Sequence, residues 1–350
     1  MSFTKITRSI PLFVAWGVIG LVLLVATLLG ALFLFFSLQP SAWSSITAAC
    51  LLPTLVFVAL IFIRPPWQGV VAAILVLAVP FTWFFLLTPT NQRDWQDSVA
   101  RVPVVDFDGD IVTISDQRAF RYRAENDYDS EWVERSYDLD QLTGVDVMFV
   151  YWGSPDIAHT MLSFAFSTGP RLVVSVETRM ESGEQYGALR SFFKQYELIY
   201  ILADERDVVA LRTNHRDEDV YIFPLPIQPI QGRELLVEIL TRANELGREP
   251  DFYRTIGANC TTTLLKDLGQ ARGHQAPWRI EVLLNGRMPR MAYDRGQFPT
   301  DAPYEEVITR YRVNDRALEG GTGPGFSERI RAGLGPALRP VSPSAVDNSR

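Results

Sequence analysis

Residues Gly257–Thr263 have the sequence GANCTTT and run directly into the apolar pair Leu264-Leu265. This order predicts a short helix that begins at Cys260, with Asn259 as its N-cap and Gly269 as its stop. A thiol in the first turn of a helix faces unpaired N–H groups and the positive end of the helix dipole, which favour the thiolate. We therefore predict that Cys260 is a nucleophile. The alternative is that Cys260 is a small, buried and unreactive residue.

Three long uncharged stretches precede this helix in the chain, and each is long enough to cross a bilayer core. They cover residues 10–38, 45–63 and 69–87. The first is about twice as long as the apolar part of a cleaved signal peptide, which is the competing interpretation of that stretch. We predict a transmembrane domain of three helices over residues 1–90.

The positive charges near these stretches predict the orientation of the protein. Lys5 and Arg8 precede the first stretch, and Arg64 lies between the second and the third. Positive residues favour the cytoplasmic side, so we expect a cytoplasmic N-terminus and an extracytoplasmic C-terminal region.

The charge and cysteine content of the chain limits its partners. The formal net charge is −7, and the extracytoplasmic region has no basic run, so we expect no nucleic-acid partner. Cys50 lies within the second apolar stretch, which leaves Cys260 as the single cysteine of the external region. An unpaired thiol in an oxidising compartment favours a chemical role. The spacing of histidine and cysteine does not fit a zinc site, and we expect neither a metal nor another cofactor.

The external region, residues 91–320, mixes patterns typical of strands and helices, which predicts an α+β domain. Alternation around a turn at residues 108–110 predicts a hairpin within residues 102–123, and residues 126–139 are expected to form a loop or an edge. Further strands are expected at 145–151, 159–166, 171–180 and 220–225, and helices at 181–197, 204–211 and 232–246. Residues 321–350 are expected to form a disordered tail.

A thiol nucleophile needs a base and a group that orients the base. His159 opens a predicted strand in apolar surroundings and is the first candidate for the base. Glu177 lies on the return strand and is the candidate orienting group. The alternatives are His215 in a polar turn and His274 in the loop after the cysteine helix. Asn259 and the amides around Cys260 are candidates for an oxyanion site.

Four sequence blocks, in this order, resemble the periplasmic domain of the Lnb lipoprotein acyltransferase family. They are Tyr151–Pro155 with His159–Phe164, Ser175–Arg179, Gln195–Tyr200 and Asn259–Thr262, and the resemblance covers about residues 97–271. The order of histidine before an Asn-Cys pair is also similar to permuted papain-like enzymes of the NlpC kind. In that fold the nucleophile helix packs on an antiparallel sheet that carries the histidine.

The resemblance implies a thiol acyltransferase or acyl hydrolase of the bacterial inner membrane, acting in the periplasm on a membrane lipid or a lipoprotein. It assigns catalytic roles to Cys260, His159 and Glu177. Substrate contacts are expected from Asn259, Arg179, Tyr151 and Trp152. Two alternatives stay open at this point: a cysteine peptidase or amidase that cuts cell-wall peptides, and a non-catalytic envelope scaffold in which Cys260 is far from His159.

Overall fold

A computed structural model describes residues 3–38, 42–255, 257, 259–271 and 284–340. The chain forms two compact units. The first comprises residues 1–89 together with 187–195, and the second comprises residues 90–186 and 196–350. The predicted His274 lies outside the described residues.

The first unit contains three long apolar helices. They are α1 (Phe3–Ser37), α2 (Ala42–Phe62) and α3 (Pro66–Leu86). The segments Val14–Ser37, Trp43–Phe62 and Pro66–Leu86 are long and apolar enough to span a membrane, which agrees with the three predicted helices. Small residues bring the helices close together: a Cβ atom at Gly69 would lie 2.7 Å from the carbonyl oxygen of Ala59.

Residues 187–195 belong to this first unit although they follow the eighth strand of the chain. The segment contains one helical turn, α4 (Ala188–Ser191). Lys194 Nζ donates to the carbonyl oxygens of Phe84, at 3.0 Å, and Leu87, at 3.3 Å, beside the C-terminal end of α3. Gln195 Nε2 donates to Ser37 Oγ, at 2.9 Å, in the last residue of α1. The segment is therefore tied to the ends of two of the apolar helices.

The second unit is built on a sheet of eight strands in the order β1-β2-β9-β8-β7-β6-β10, with β5 paired to β2. The strands are β1 (Val104–Asp108), β2 (Ile111–Arg118), β5 (Trp132–Asp138), β6 (Leu142–Tyr151), β7 (Ala158–Phe166), β8 (Leu172–Arg179), β9 (Glu197–Asp204) and β10 (Asp219–Pro224), and β3 (Arg121–Ala124) pairs with β4 (Asp127–Asp129) in a separate ribbon. The predicted 102–123 hairpin is confirmed by the pairing of β1 with β2, and the predicted antiparallel pair of strands by β7 and β8.

Helices cover both faces of this sheet. The further helices are α5 (Glu205–Ala210), α6 (Pro229–Arg248), α7 (Cys260–Ala271), α8 (Met288–Asp294), α9 (Tyr304–Thr309), α10 (Asn314–Glu319) and α11 (Phe326–Arg331), and a π-helical turn spans Leu211–His215. Leu162 and Val174 share one apolar core with α6 and α7. Met161 and Val173 point to the other face and share a core with α5, α10 and α11. The α+β prediction is therefore confirmed, and alternate residues of each strand serve opposite cores.

Two predicted elements differ from the structure. Residues 181–197 form a single helical turn and not a long helix. Gly183 and Lys194 adopt positive φ angles of 81° and 56°, which a continuous helix does not allow. The first part of the predicted disordered tail is ordered, because α11 buries Phe326 and Ile330 in the second core. Residues 341–350 of that tail lie outside the described residues.

Candidate active site

Cys260 is the first residue of α7, as the sequence predicts. The Asn259 side chain caps this helix: its Oδ1 accepts from the Thr262 N–H at 2.8 Å, and the Asn259 N–H donates to Thr262 Oγ1 at 2.9 Å. Asn259 Nδ2 also donates to the Thr255 carbonyl at 2.7 Å. The helix continues two residues beyond Gly269, since Ala271 still belongs to α7.

The sulfur of Cys260 is partly buried and lies against β7. The pairing of β7 with β8 ends at Met161 and Ser175, and the backbone N–H of Thr160, one residue further along β7, donates to the sulfur. Burial raises the pKa of the Cys260 thiol, although this N–H, the Thr261 hydroxyl and the backbone N–H groups of Thr261 and Cys260 oppose the rise. The thiol is therefore protonated at neutral pH, in contrast to the expected thiolate, because desolvation outweighs the helix N-terminus.

His159 is oriented by a two-step relay across the sheet. Its Nε2 lies 2.7 Å from Ser175 Oγ, and the Ser175 hydroxyl donates to Glu177 Oε1 at 2.8 Å. Because the single hydroxyl proton goes to the carboxylate, Ser175 Oγ accepts the proton of Nε2–H. This arrangement fixes the tautomer of His159 and leaves the lone pair on Nδ1, which is the ring nitrogen that can take a proton.

Burial and nearby charges set the protonation states of His159 and Glu177, the two titratable residues of the relay. Burial lowers the pKa of His159 to about 4, and the nearby Arg212 adds to this effect, so the imidazole is neutral at pH 7. Burial works against ionisation of Glu177, but Arg212, Arg118 and His159 outweigh it and hold the pKa of the carboxyl at about 2. Arg212 Nη2 donates to Glu177 Oε1 at 3.2 Å, and the arginine is itself buried. The base is thus neutral and its orienting carboxylate is charged.

A buried asparagine joins the cysteine helix to the histidine strand. Asn285 Nδ2 lies 2.6 Å from Thr261 Oγ1 and 3.1 Å from Thr160 Oγ1, and the two threonine hydroxyls are 3.0 Å apart. The same carboxamide pairs with both backbone groups of Ala158, accepting its N–H at 2.9 Å. Asn285 therefore joins Thr160, which follows His159, to Thr261, which follows Cys260.

Cys260 and His159 come from opposite sides of β7. The side chain of His159 points to the face that carries Arg212, whereas α7 packs on the other face. Within the described residues, the side-chain hydrogen-bond contact of the sulfur is with Thr261 Oγ1 at 3.8 Å, and no hydrogen bond joins it to the imidazole. They are connected through Thr160, which follows His159 in β7 and donates its backbone N–H to the sulfur of Cys260.

The expected substrate-binding residues occupy different places. Arg179 is buried, and its three nitrogens donate to the carbonyls of Val99 and Ala100 and to Asn91 Oδ1, so the structure uses it to hold the 91–100 segment. Tyr151 and Trp152 line a cavity of about 440 Å³. The Tyr151 hydroxyl donates to the Gly286 carbonyl at 2.7 Å, next to Asn285.

The alternative base His215 lies in the π-helical turn, where its ring is 6.1 Å from that of Tyr122. Of the two described histidines, His159 is the one that contacts Ser175 and, through it, Glu177.

Sequence reasoning missed Ser175, Arg212 and Asn285. Ser175 had a usable signal, because it lies two residues before Glu177 and so shares its face of the strand. Arg212 and Asn285 are brought to the site by tertiary packing, and we find no local pattern that marks them.

A sequence model of the family described as the Lnb N-terminal periplasmic domain matches residues 128–286. This range contains the cysteine, the histidine, the relay and the asparagine. Comparison with curated proteins gives no match, and comparison with solved structures gives none either.

Proposed function

We propose, on the premise that residues 128–286 match the Lnb N-terminal periplasmic domain family, that this chain is a membrane-anchored thiol acyltransferase acting on a lipidated substrate. The observation that supports this most directly is the relay from Glu177 through Ser175 to His159. The relay leaves Nδ1 of the neutral His159 free to act as a base. His159 is next to Thr160, whose backbone N–H donates to the sulfur of Cys260.

The first half of the proposed reaction forms an acyl-enzyme. As Cys260 Sγ attacks an ester carbonyl of a diacylglyceryl group, the thiol proton passes to His159 Nδ1 and a tetrahedral oxyanion forms. Because the two side chains come from opposite sides of β7, this step requires the imidazole to turn towards the sulfur or a water molecule to carry the proton. Backbone N–H groups at the start of α7 and at Thr160 are the donors available to that oxyanion. Collapse of the intermediate breaks the ester C–O bond, the imidazolium returns the proton to the leaving alkoxide, and the acyl group stays on sulfur as a thioester.

The second half transfers the acyl group. The amino group of the lipoprotein's first cysteine attacks the thioester and His159 takes the amine proton. The C–S bond then breaks, an amide is the product, and the imidazolium returns the proton to the Cys260 thiolate. Water in place of the amine gives hydrolysis instead. Since the thiol rests in its protonated form, each cycle depends on His159 acting as a general base and not on a pre-formed ion pair.

The proposed location is the bacterial inner membrane, with the N-terminus in the cytoplasm and the second unit in the periplasm. Lys5 and Arg8 precede the apolar segment Val14–Ser37 of α1, and Arg64 lies between α2 and α3, and these positions support this orientation. Reporter fusions after residue 38 and after residue 340 test it, and the proposal requires both reporters to be active on the periplasmic side. Reporters that are both active in the cytoplasm would reverse the orientation.

The acyl-enzyme is tested by incubating the full-length protein in detergent with a diacylated lipopeptide and following the mass of the peptide that contains Cys260. We expect a thioester on Cys260 that disappears in Cys260→Ser. We expect His159→Ala to slow its formation by about 10²- to 10⁴-fold, the usual contribution of a general base. His215→Ala is the matched control and is expected to react like the wild type. Equal rates in the wild type and His159→Ala would overturn the assignment of the base.

A further inference from the structure

An apolar cavity of about 610 Å³ lies between the sheet and helices that include α7, and Thr261, the residue after Cys260, is among its lining residues whereas Cys260 is not. One wall is the sheet face of β6 and β7, with Phe149 and Leu162, and a second wall is α7, with Leu264 and Leu268. The volume lies within the usual range for sites that bind small molecules or lipid chains.

The polar end of this cavity is formed by residues that adjoin His159 and Cys260 in the chain. Thr160 and Thr261 both line it. The first donates its backbone N–H to the sulfur, and the second follows Cys260 directly. Their hydroxyls are 3.0 Å apart and both contact Asn285, so they stand together at this end of the cavity.

The other lining residues are mostly apolar, which favours a hydrocarbon chain as the ligand. Arg295 is the one charged residue among the described residues that line the cavity, and its side chain is exposed. A peptide placed here would bury N–H and C=O groups without partners, which is costly, whereas an alkyl chain needs none. A polar reactive end next to sulfur and a long apolar body is the chemistry of a fatty acyl ester.

The third wall comes from chain beyond the family match, which ends at residue 286. Met288, Met291 and Ala292 of α8 contribute, together with Phe298 and Leu338. Leu338 is held in place because its N–H donates to the Pro224 carbonyl at 3.2 Å. Methionine side chains adapt to chains of different shape.

We propose that this cavity holds the acyl chain of the substrate during thioester formation, and that α8 and the 334–340 segment set the chain length that the enzyme accepts. This inference rests on the proposed function, since it needs Cys260 to be acylated. It adds a specificity determinant that lies outside the residues shared with the family.

The test incubates the full-length protein with activated esters of increasing chain length, from acetyl to hexadecanoyl. The rate of acylation of Cys260 is measured by mass spectrometry. The rate is expected to rise about fourfold for each methylene that enters the cavity, and then to level off when the cavity is full. Ala292→Trp fills the cavity and is expected to move the plateau to shorter chains. Asp294→Trp, exposed on the same helix, is the control and is expected to keep the wild-type profile.

Met291→Ala is a second variant that enlarges the cavity, and it is expected to move the plateau to longer chains. The outcomes separate the two proposals. Acetyl labelling of Cys260 without dependence on chain length, or an unchanged plateau in both Ala292→Trp and Met291→Ala, overturns the cavity assignment alone. Absence of labelling by every ester overturns the proposed function and this inference with it.

Discussion

Ser175 is fully buried between His159 and Glu177, and its hydroxyl is the group through which the carboxylate reaches the imidazole. Glu177 Oε1 is 3.8 Å from His159 Nε2, which is too long for a direct hydrogen bond. The carboxylate identified from sequence therefore acts on the imidazole through the serine. A single hydroxyl group determines which ring nitrogen is free.

Ser175→Ala removes this hydroxyl and lets the imidazole choose the other tautomer. We expect acylation of Cys260 to slow by about tenfold, less than the loss of the base itself. Ser175→Thr, which keeps a hydroxyl, is expected to recover part of the rate. The matched control is Ser163→Ala, because Ser163 is equally buried on the next strand but donates to Glu205 at 2.7 Å, away from His159. Equal losses in both alanine variants would mean that Ser175 matters for packing alone.

Arg212 controls the pH at which His159 becomes protonated. Burial and the charge of Arg212 lower the pKa of His159 to about 4, so the base stays neutral until the pH falls to that region. We expect the acid limb of the rate of Cys260 acylation to lie near pH 4, well below the value of about 6.5 for free histidine.

In Arg212→Gln the positive charge is gone and Glu177 remains, so the pKa of His159 rises and the acid limb should move to higher pH. Lys266→Gln, an exposed change on α7, is the control and should leave the limb in place. The low pKa also affects stability. As the pH falls from about 6.5 towards 4, the unfolded chain binds a proton that the folded protein does not, and the folded state loses stability. An acid limb that stays in place in Arg212→Gln would contradict this electrostatic account.

At the scale of the elements, the candidate active site depends on the attachment of α7 to β7. Asn285 makes this attachment through Thr160, Thr261 and the backbone of Ala158. Asn285→Ala leaves these buried groups without partners, and we expect it to cost about 3 kcal/mol of folding free energy and also to slow acylation of Cys260.

Asn314→Ala provides the comparison for Asn285→Ala. Asn314 is equally buried and joins β10 to α10 by accepting the Val220 N–H at 2.9 Å and donating to the Glu218 carbonyl at 2.8 Å. We expect a similar fall in the melting temperature and an unchanged acylation rate per folded molecule. If both variants lost acylation equally, the role of Asn285 would be one of general stability.

The sequence predicted strands better than it predicted the segments between them. β-prone residues on either side of the turn at residues 168–170 identified β7 and β8, although Met161 breaks a strict alternation. The reason is that both faces of these strands are buried, each in a separate core. The 181–197 segment has apolar residues at helical spacing, but these residues lie in different surroundings. Tyr196 lies in the core of the second unit, whereas the ring centroid of Phe193 is 5.6 Å from that of Phe36 in α1. A local pattern cannot show that neighbouring residues belong to different units.

At the scale of the whole molecule, residues 187–195 give the first unit a part that comes from the middle of the chain. Leu189 and Phe192 are 63% and 47% exposed there, beside helices that are apolar enough for a membrane. We expect these side chains to enter the membrane interface, where Lys194 supplies the polar contacts.

A protein that begins at residue 90 lacks α1–α3 but keeps this segment, and we expect it to aggregate or to bind detergent and vesicles. Leu189→Glu with Phe192→Glu should make the shortened protein monomeric in flotation and gel-filtration measurements. The control is Val104→Glu with Ile230→Glu, which changes two apolar residues of the second unit with similar exposure, 59% and 58%. This pair should not make the shortened protein monomeric. Equal improvement by both pairs would show that the segment has no special affinity for lipid.

The C-terminal helix α11 is synthesised after Cys260, and this order affects folding during translation. Arg331 pairs with Asp146 and Glu205, and Phe326 and Ile330 close the core on one face of the sheet. A ribosome delivers Cys260 more than sixty residues earlier than these, so the cysteine emerges before the residues that cover this face have been made. Cys260 is the single cysteine outside the apolar helices, and the nascent chain therefore has no second thiol nearby with which it can form a wrong bridge during this interval.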